Sequence, residues 1–97
     1  MSIRIICINK SGGYHDDPHE AISHLGWINE QTRASGKNTR LEIVDFLEKQ
    51  SGTAYTKDMF GNTAILVTRV SPHGTKYVKT VADGKETDNL LNLPECS

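Results

Sequence analysis

At 97 residues the chain has the usual length of one domain, and we expect a single α+β domain over residues 1–97 with one small core. Hydrophobic residues make up 36% of the chain and charged residues 24%, a balance that argues against intrinsic disorder. The formal net charge of −1 excludes a strong positive field over the whole molecule, so nucleic acid or anionic lipid would need a local basic patch.

The first apolar run predicts an interior strand in a cytoplasmic protein. Residues 4–8 (RIICI) are apolar at both alternating positions, a pattern typical of a strand covered on two faces. The apolar run is too short for a secretory signal, and no segment approaches membrane-spanning length. We therefore expect a cytoplasmic location, no membrane contact, and free thiols at Cys7 and Cys96.

The next segment is dense in turn residues and leads into a second ordered stretch. Residues 9–18 predict a loop, because they contain two glycines, two aspartates and a proline. Residues 20–29 fit two alternatives: residues 17–20 (DPHE) resemble a helix start, and Gly26 could end that helix. Ile22, Trp27 and Ile28 do not share a helical stripe, however, so we interpret this stretch as a strand that pairs with the first.

A capped helix follows a polar loop over residues 31–38. Thr39 and Glu42 have the spacing of a capping box, in which each side chain bonds the backbone N–H of the other residue. The helix is predicted to run to about Gln50 and to end at Gly52. Its apolar side is assigned to Leu41, Val44, Phe46 and Leu47.

The last half of the chain predicts a meander and a tail. Residues 53–57, 63–70 and 76–82 read as strands joined by hairpin loops, and Asp83-Gly84 reads as a tight turn. Three leucines near the C-terminus are expected to cover the sheet face opposite the helix, unless a homodimer partner does so. The predicted fold is an about five-stranded, mostly antiparallel sheet with one helix packed on it, in the order β-β-α-β-β-β, and with the C-terminal tail packed back on the sheet.

The sequence also resembles a known family. Residues 18–27 (PHEAISHLGW), the capped helix and residues 76–96 (KYVKTVADGKETDNLLNLPEC) are similar to domain of unknown function family 3892, small and mostly bacterial proteins. The resemblance spans nearly the whole chain and implies a single α+β domain with a strand after His19. It implies no activity. The segment between Trp27 and the helix is longer and more polar than the family pattern.

Candidate binding residues fall in two regions of the chain. A histidine beside carboxylates can act as a base or a ligand, which draws attention to the N-terminal loop, although we assign no catalytic residue and no cofactor. Near the C-terminus, polar side chains can bond the backbone and hold the tail, so Asp88→Ala or Leu91→Ala should lower thermal stability. The full set is His15, His19, Glu20, Lys79, Thr80, Asp83, Asp88 and Asn89.

Two further sites are weighed as alternatives. A metal site could use His15, His19 and Cys96, but no C-x-x-C pair accompanies them. A nucleic-acid site could use the basic final strands, where lysines and an aromatic ring could meet phosphates and bases. Its residues are Arg69, Lys76, Tyr77, Lys79 and Lys85.

The leading functional interpretation is a non-enzymatic binding or interaction module. It would recognise a protein partner or self-associate through a face or edge of the sheet. The alternatives are a nucleic-acid-binding protein and a small metal-dependent enzyme around His15 and His19. Salt separates the first two, because binding to phosphates weakens steeply with added salt whereas an apolar contact changes little.

Overall fold

The structure, a computed structural model, describes residues 1–11, 21–87 and 89–96. Within these residues it has one mixed sheet of seven strands in the spatial order β3-β2-β1-β4-β5-β6-β7. Strands β1 and β4 are parallel, and every other neighbouring pair is antiparallel. The elements are β1 (Ser2–Lys10), β2 (Ile22–Ile28), β3 (Ser35–Thr39), α1 (Arg40–Lys49), β4 (Thr53–Lys57), β5 (Thr63–Val70), β6 (Lys76–Ala82), β7 (Lys85–Thr87) and a 3-10 helix (Asn89–Asn92).

The predicted sheet of about five mostly antiparallel strands, and its element order, are therefore wrong. The loop predicted over residues 31–38 contains most of β3, whose sequence SGKNT has no apolar residue to reveal a strand. Pairing with β2 holds it in place, and Gly36 leaves room for the Trp27 ring, which would lie 3.0 Å from a Cβ at that position. Strand β7 was missed because it has only three residues.

Two local predictions are confirmed. The stretch after residue 20 is a strand, β2, that pairs antiparallel with β1. Asp83 and Gly84 have φ values of 54° and 77°, the left-handed conformation that a two-residue hairpin turn requires. This turn joins Ala82 to Lys85 and so adds β7 to the edge of the sheet.

A β-bulge explains why the first strand is apolar at both alternating positions. Ile5 pairs with Trp27 and Cys7 pairs with Gly26, so Ile6 is an extra residue without a partner. The extra residue reverses the alternation, which puts Ile5 and Ile8 on the same face, both with 1% exposure. The prediction that β1 is covered on two faces is wrong, although β1 is an interior strand.

Helix α1 begins with the predicted capping box. The Glu42 N–H donates to Thr39 Oγ1 at 3.2 Å, and the Thr39 N–H donates to Glu42 Oε1 at 2.9 Å. The helix buries Ile43 and Val44 against the sheet, whereas Leu41 is 56% exposed, so its assignment to the apolar side is wrong.

The C-terminal segment packs on the same face as α1. Leu90 in the 3-10 helix is fully buried, and it belongs to the same core as Ile43 and Val44 of the helix. Leu91 and Leu93 pack against that core with partial exposure. The leucines do fold onto the sheet, but the prediction that they cover the face opposite the helix is wrong.

A disulfide joins Cys7 to Cys96, so the prediction of two free thiols is wrong. The two residues are 89 positions apart in sequence, and their Cα atoms are 5.0 Å apart. No helix in the described part of the chain combines the length and the apolar character needed to cross a membrane.

Candidate functional site

Among the described residues, one face of the sheet carries no helix, and we call it the open face. Side chains alternate between the two faces along each strand, and directly paired residues point to the same side. Because the core lies entirely on the α1 side, the alternate residues of every strand project from the open face. One row of paired residues crosses all seven strands there: Ser35, Ile28, Arg4, Tyr55, Ile65, Val81 and Glu86.

The centre of the open face is aliphatic. Ile65 in β5 is 59% exposed and lies between its paired neighbours Tyr55 and Val81. Val67, two residues along the same strand, is half-buried on the same side. A large apolar side chain is thus exposed in the middle of a sheet, where neighbouring strands hold it rigidly in position.

A first polar cluster lies on the β1 side of this centre. The Tyr55 hydroxyl donates to Glu30 Oε1, and Arg4 Nη1 lies 3.7 Å from Glu30 Oε2. The hydrogen bond from Tyr55 is the main cause that holds the pKa of Glu30 below its ordinary value, with Lys57 and Arg4 adding to it. The same bond raises the pKa of Tyr55, because it is made by the protonated hydroxyl.

A second polar cluster lies on the opposite side of the centre, on β5, β6 and β7. Glu86 accepts a 2.8 Å hydrogen bond from Arg69 Nε and lies 3.5 Å from Lys79 Nζ. The bond from Arg69, followed by the charge of Lys79, lowers the pKa of Glu86. Glu86 therefore joins two basic residues of neighbouring strands into one ion-paired group.

Replacing Arg69 should change the titration of Glu86. In Arg69→Gln we expect the pKa of Glu86 to rise toward its ordinary value, and in Lys79→Met we expect a smaller rise, because the Arg69 bond is the larger cause. Carbon-detected NMR of the Glu86 carboxyl during a pH titration measures both. A carboxyl with a lowered folded-state pKa stabilises the fold above its unfolded pKa, and this contribution is lost as the pH falls through the folded value.

Lys85→Gln is the matched control for this titration. Lys85 is the neighbour of Glu86 in β7, but alternation places it on the α1 side of the sheet. Its loss should leave the Glu86 titration nearly unchanged. An equal shift in the Arg69 and Lys85 variants would contradict the ion-paired group.

The sequence-predicted binding residues fall in different places. His15, His19, Glu20 and Asp88 lie outside the described residues. Lys79 is on the open face, whereas Thr80 is fully buried on the α1 side, where its hydroxyl contacts that of Thr87 at 2.7 Å. Asp83 is at the tip of the β6–β7 turn, and Asn89 begins the 3-10 helix. The described members of the set therefore do not share one surface.

The residues predicted for nucleic-acid binding are also divided. Arg69, Tyr77 and Lys79 share the open face, and two of them pair with Glu86. Lys76 instead bonds Glu48 of α1 at 2.9 Å on the other side of the sheet. Lys85 also lies on that side.

The predicted metal site depends on residues that the structure only partly describes. His15 and His19 lie outside the described residues, and the Cys96 sulfur is bonded to Cys7. Among the residues that are described, no group of three or more His, Cys, Asp or Glu side chains is placed to hold a metal ion.

The tryptophan near the N-terminal loop has a structural role. The Trp27 indole N–H donates to Asn38 Oδ1 at 2.7 Å, which ties β2 to β3. Its ring also lines a hollow under α1 with Ile43 and Phe46. Trp27 therefore lies on the covered side of the sheet, away from the open face.

Sequence reasoning missed Glu30, Tyr55 and Ile65 as members of one surface. The alternation of β4 and β5 contained part of the signal, because Tyr55 and Ile65 occupy the face opposite buried Ala54 and Leu66. Their adjacency depends on the β4–β5 register, and the position of Glu30 depends on the parallel β1–β4 pair.

Comparison with known proteins gives one match. No curated protein and no solved structure matches the chain. The family model described as "Protein of unknown function (DUF3892)" matches residues 4–94, a range that includes the open-face row and the 3-10 helix. Since this match covers nearly the whole sequence, the chain belongs to the DUF3892 family.

Proposed function

We propose that the protein is a non-enzymatic binding module that docks an acidic surface of a protein partner on its open face. The observation that carries the proposal is the exposed Ile65 at the centre of a charged sheet face that α1 does not cover. A cytoplasmic location, expected from the sequence, belongs to the same proposal.

The open face has the composition of a protein interface. Interfaces combine an apolar centre that excludes water with a polar rim that sets orientation. Here Ile65, Val67 and Val81 form the centre, and the two ion-paired clusters flank it. Because the paired strands fix the backbone of Ile65, docking has to order only its side chain.

The charge of the open face favours an acidic partner. Basic side chains outnumber carboxylates in the described part of this face, although the whole chain has a formal charge of −1. Two copies of this face would repel each other, whereas an acidic surface would be attracted to it. Among the described residues, the basic side chains of this face are Arg4, Lys37, Lys57, Arg69 and Lys79, and the carboxylates are Glu30 and Glu86.

A protein partner fits this face better than nucleic acid does. Base recognition on a sheet relies on aromatic rings, and the described rings of the open face are Tyr55, which bonds Glu30, and Tyr77. Phosphates would also have to compete with Glu86 for Arg69 and Lys79. An aliphatic side chain in the centre adds nothing to phosphate binding but much to a protein contact.

Selection from a random peptide library displayed on phage tests the proposal, with binding of the selected peptides measured by calorimetry. We expect peptides that combine Asp or Glu with aliphatic residues. Ile65→Glu should weaken their binding at least about tenfold, because it removes the apolar contact and adds repulsion.

Val70→Glu is the matched control. Val70 lies in the same strand with 60% exposure, but alternation places it on the α1 side of the sheet. Equal weakening by both variants, or selected peptides without acidic residues, would overturn the proposal. Tighter binding of a single-stranded oligonucleotide, lost in Arg69→Ser and steeply reduced by salt, would overturn it in favour of nucleic acid.

A further inference from the structure

The last described residues are held against β1 by a short set of contacts that end in the disulfide. Strand β4 pairs with β1 only as far as Arg4, and residues 94–96 continue along the same edge of β1 as a parallel neighbour of Ile8. The Ile8 N–H donates to the Pro94 carbonyl at 3.0 Å, and the Cys96 N–H donates to the Ile8 carbonyl at 3.1 Å. The Asn9 side-chain amide donates to the Cys96 carbonyl at 3.1 Å.

The sheet leaves a space that the sulfur atoms fill. Gly26 is the partner of Cys7 in β2, and a Cβ at this position would lie 2.2 Å from Cys7 Sγ and 2.9 Å from Cys96 Sγ. Any other residue here would have to displace the sulfurs. Glycine at position 26 is therefore required for the bond to close over the sheet.

The disulfide can be reached by a reductant. Cys7 and Gly26 alternate with core residues, so the bond lies on the open face, which α1 does not cover. Both cysteines are half-buried rather than buried. Thiol–disulfide exchange requires this access for the attacking thiolate.

Residues 94–96 can separate from β1 without disturbing the core. Leu90 is the fully buried anchor of the C-terminal segment, and it precedes the β1 contact by several residues. Pro94 and Glu95 are exposed, so they add little to the core. The disulfide and the hydrogen bonds near Ile8 thus hold only residues 94–96 against β1.

We propose that the Cys7–Cys96 bond is a reversible redox clasp, opened by a dithiol reductant, that releases residues 94–96 from β1 while the sheet stays folded. A thiolate of the reductant attacks one sulfur of the bond, and the other sulfur leaves as a thiolate and takes up a proton. The second thiol of the reductant then resolves the mixed disulfide. The net change transfers two electrons and two protons, which makes two cysteine thiols in this chain and a disulfide in the reductant. The edge of β1 at Ile8 is then uncovered.

Hydrogen exchange with and without dithiothreitol tests the clasp on the full chain in native buffer. We expect two alkylatable thiols after reduction and at least about tenfold faster amide exchange at Ile8 and Cys96. The amides of β5 and β6 should stay protected, and oxidised glutathione should restore the original exchange rates. Thiols that stay unreactive with excess dithiothreitol, or loss of protection across β5 and β6, would overturn the proposal.

Gly26→Ala provides a second test that does not depend on reduction. The added Cβ should prevent closure, so that two thiols persist in oxidised glutathione where the wild type has none. Gly36→Ala is the matched control, because its Cβ would meet the Trp27 ring and not the sulfurs. If the disulfide forms as completely in Gly26→Ala as in Gly36→Ala, the close packing of the sulfurs on Gly26 is wrong and the clasp is overturned.

Discussion

Replacing both cysteines by serine is expected to lower the free energy of unfolding by about 4 kcal/mol. A disulfide removes conformational entropy from the unfolded chain, and the effect grows with the length of the closed loop. Here the bonded residues are 89 positions apart, so the loop includes nearly the entire chain. Urea unfolding of the double variant against the oxidised wild type measures the loss.

The reduced wild type is the control for this double variant. It contains the native side chains but not the bond, so its urea midpoint should match that of the serine variant. A reduced wild type as stable as the oxidised protein would contradict the stabilising role of the bond. A reduced wild type much more stable than the serine variant would mean that the thiols themselves pack favourably.

Leu90→Ala should lower the free energy of unfolding by about 2 to 5 kcal/mol. Truncation of a fully buried leucine loses its transfer free energy and leaves a cavity that the surroundings fill only partly. Leu90 contributes to the core that β1 and α1 share, so its loss should also loosen the C-terminal segment. Thermal and urea unfolding measure the change.

Leu41→Ala is the matched control for Leu90→Ala. Leu41 is 56% exposed on the first turn of α1, so its truncation should change stability by less than about 0.5 kcal/mol. Similar losses in the two leucine variants would contradict the burial of the 3-10 helix. Leu91, which is partly buried, should give an intermediate loss.

Local structure could be predicted from the sequence where a few neighbouring residues determine it. The capping box at Thr39 and the turn at Asp83-Gly84 each depend on side chains within four positions, and both are present as predicted. The strand over residues 22–28 could also be recognised, because its apolar residues do not fit one side of a helix.

The predictions that were wrong concern features that depend on pairing between distant segments. Strand β3 is polar and gains its structure from β2, so its own residues gave no periodic signal. The bulge at Ile6 made β1 seem apolar on two faces, and this error led directly to the wrong position for the tail. The disulfide could not be predicted because the spacing of two cysteines does not specify their separation in space.

The candidate site shows the same difference between features set by neighbouring residues and features set by distant strand pairing. Lys79 and Tyr77 were recognised from the local excess of basic residues in the final strands, but the same criterion also included Lys76 and Lys85, which lie on the α1 side. The open-face row was not recognised, since it requires the order of all seven strands and the parallel β1–β4 pair. Sheet order, rather than residue type, is therefore what assembles the site.

The interior position of β1 has a consequence for how the chain folds. Its edges are completed by β2, by β4 and by residues 94–96, segments that lie progressively farther along the sequence. The β1–β4 pair and the contact of Ile8 with residues 94–96 close long loops, so they pay loop-closure entropy before they gain contact energy, whereas the other pairs join consecutive strands. The β1 contact at Ile8 should therefore form after the β5–β6 hairpin, which closes a loop of only a few residues.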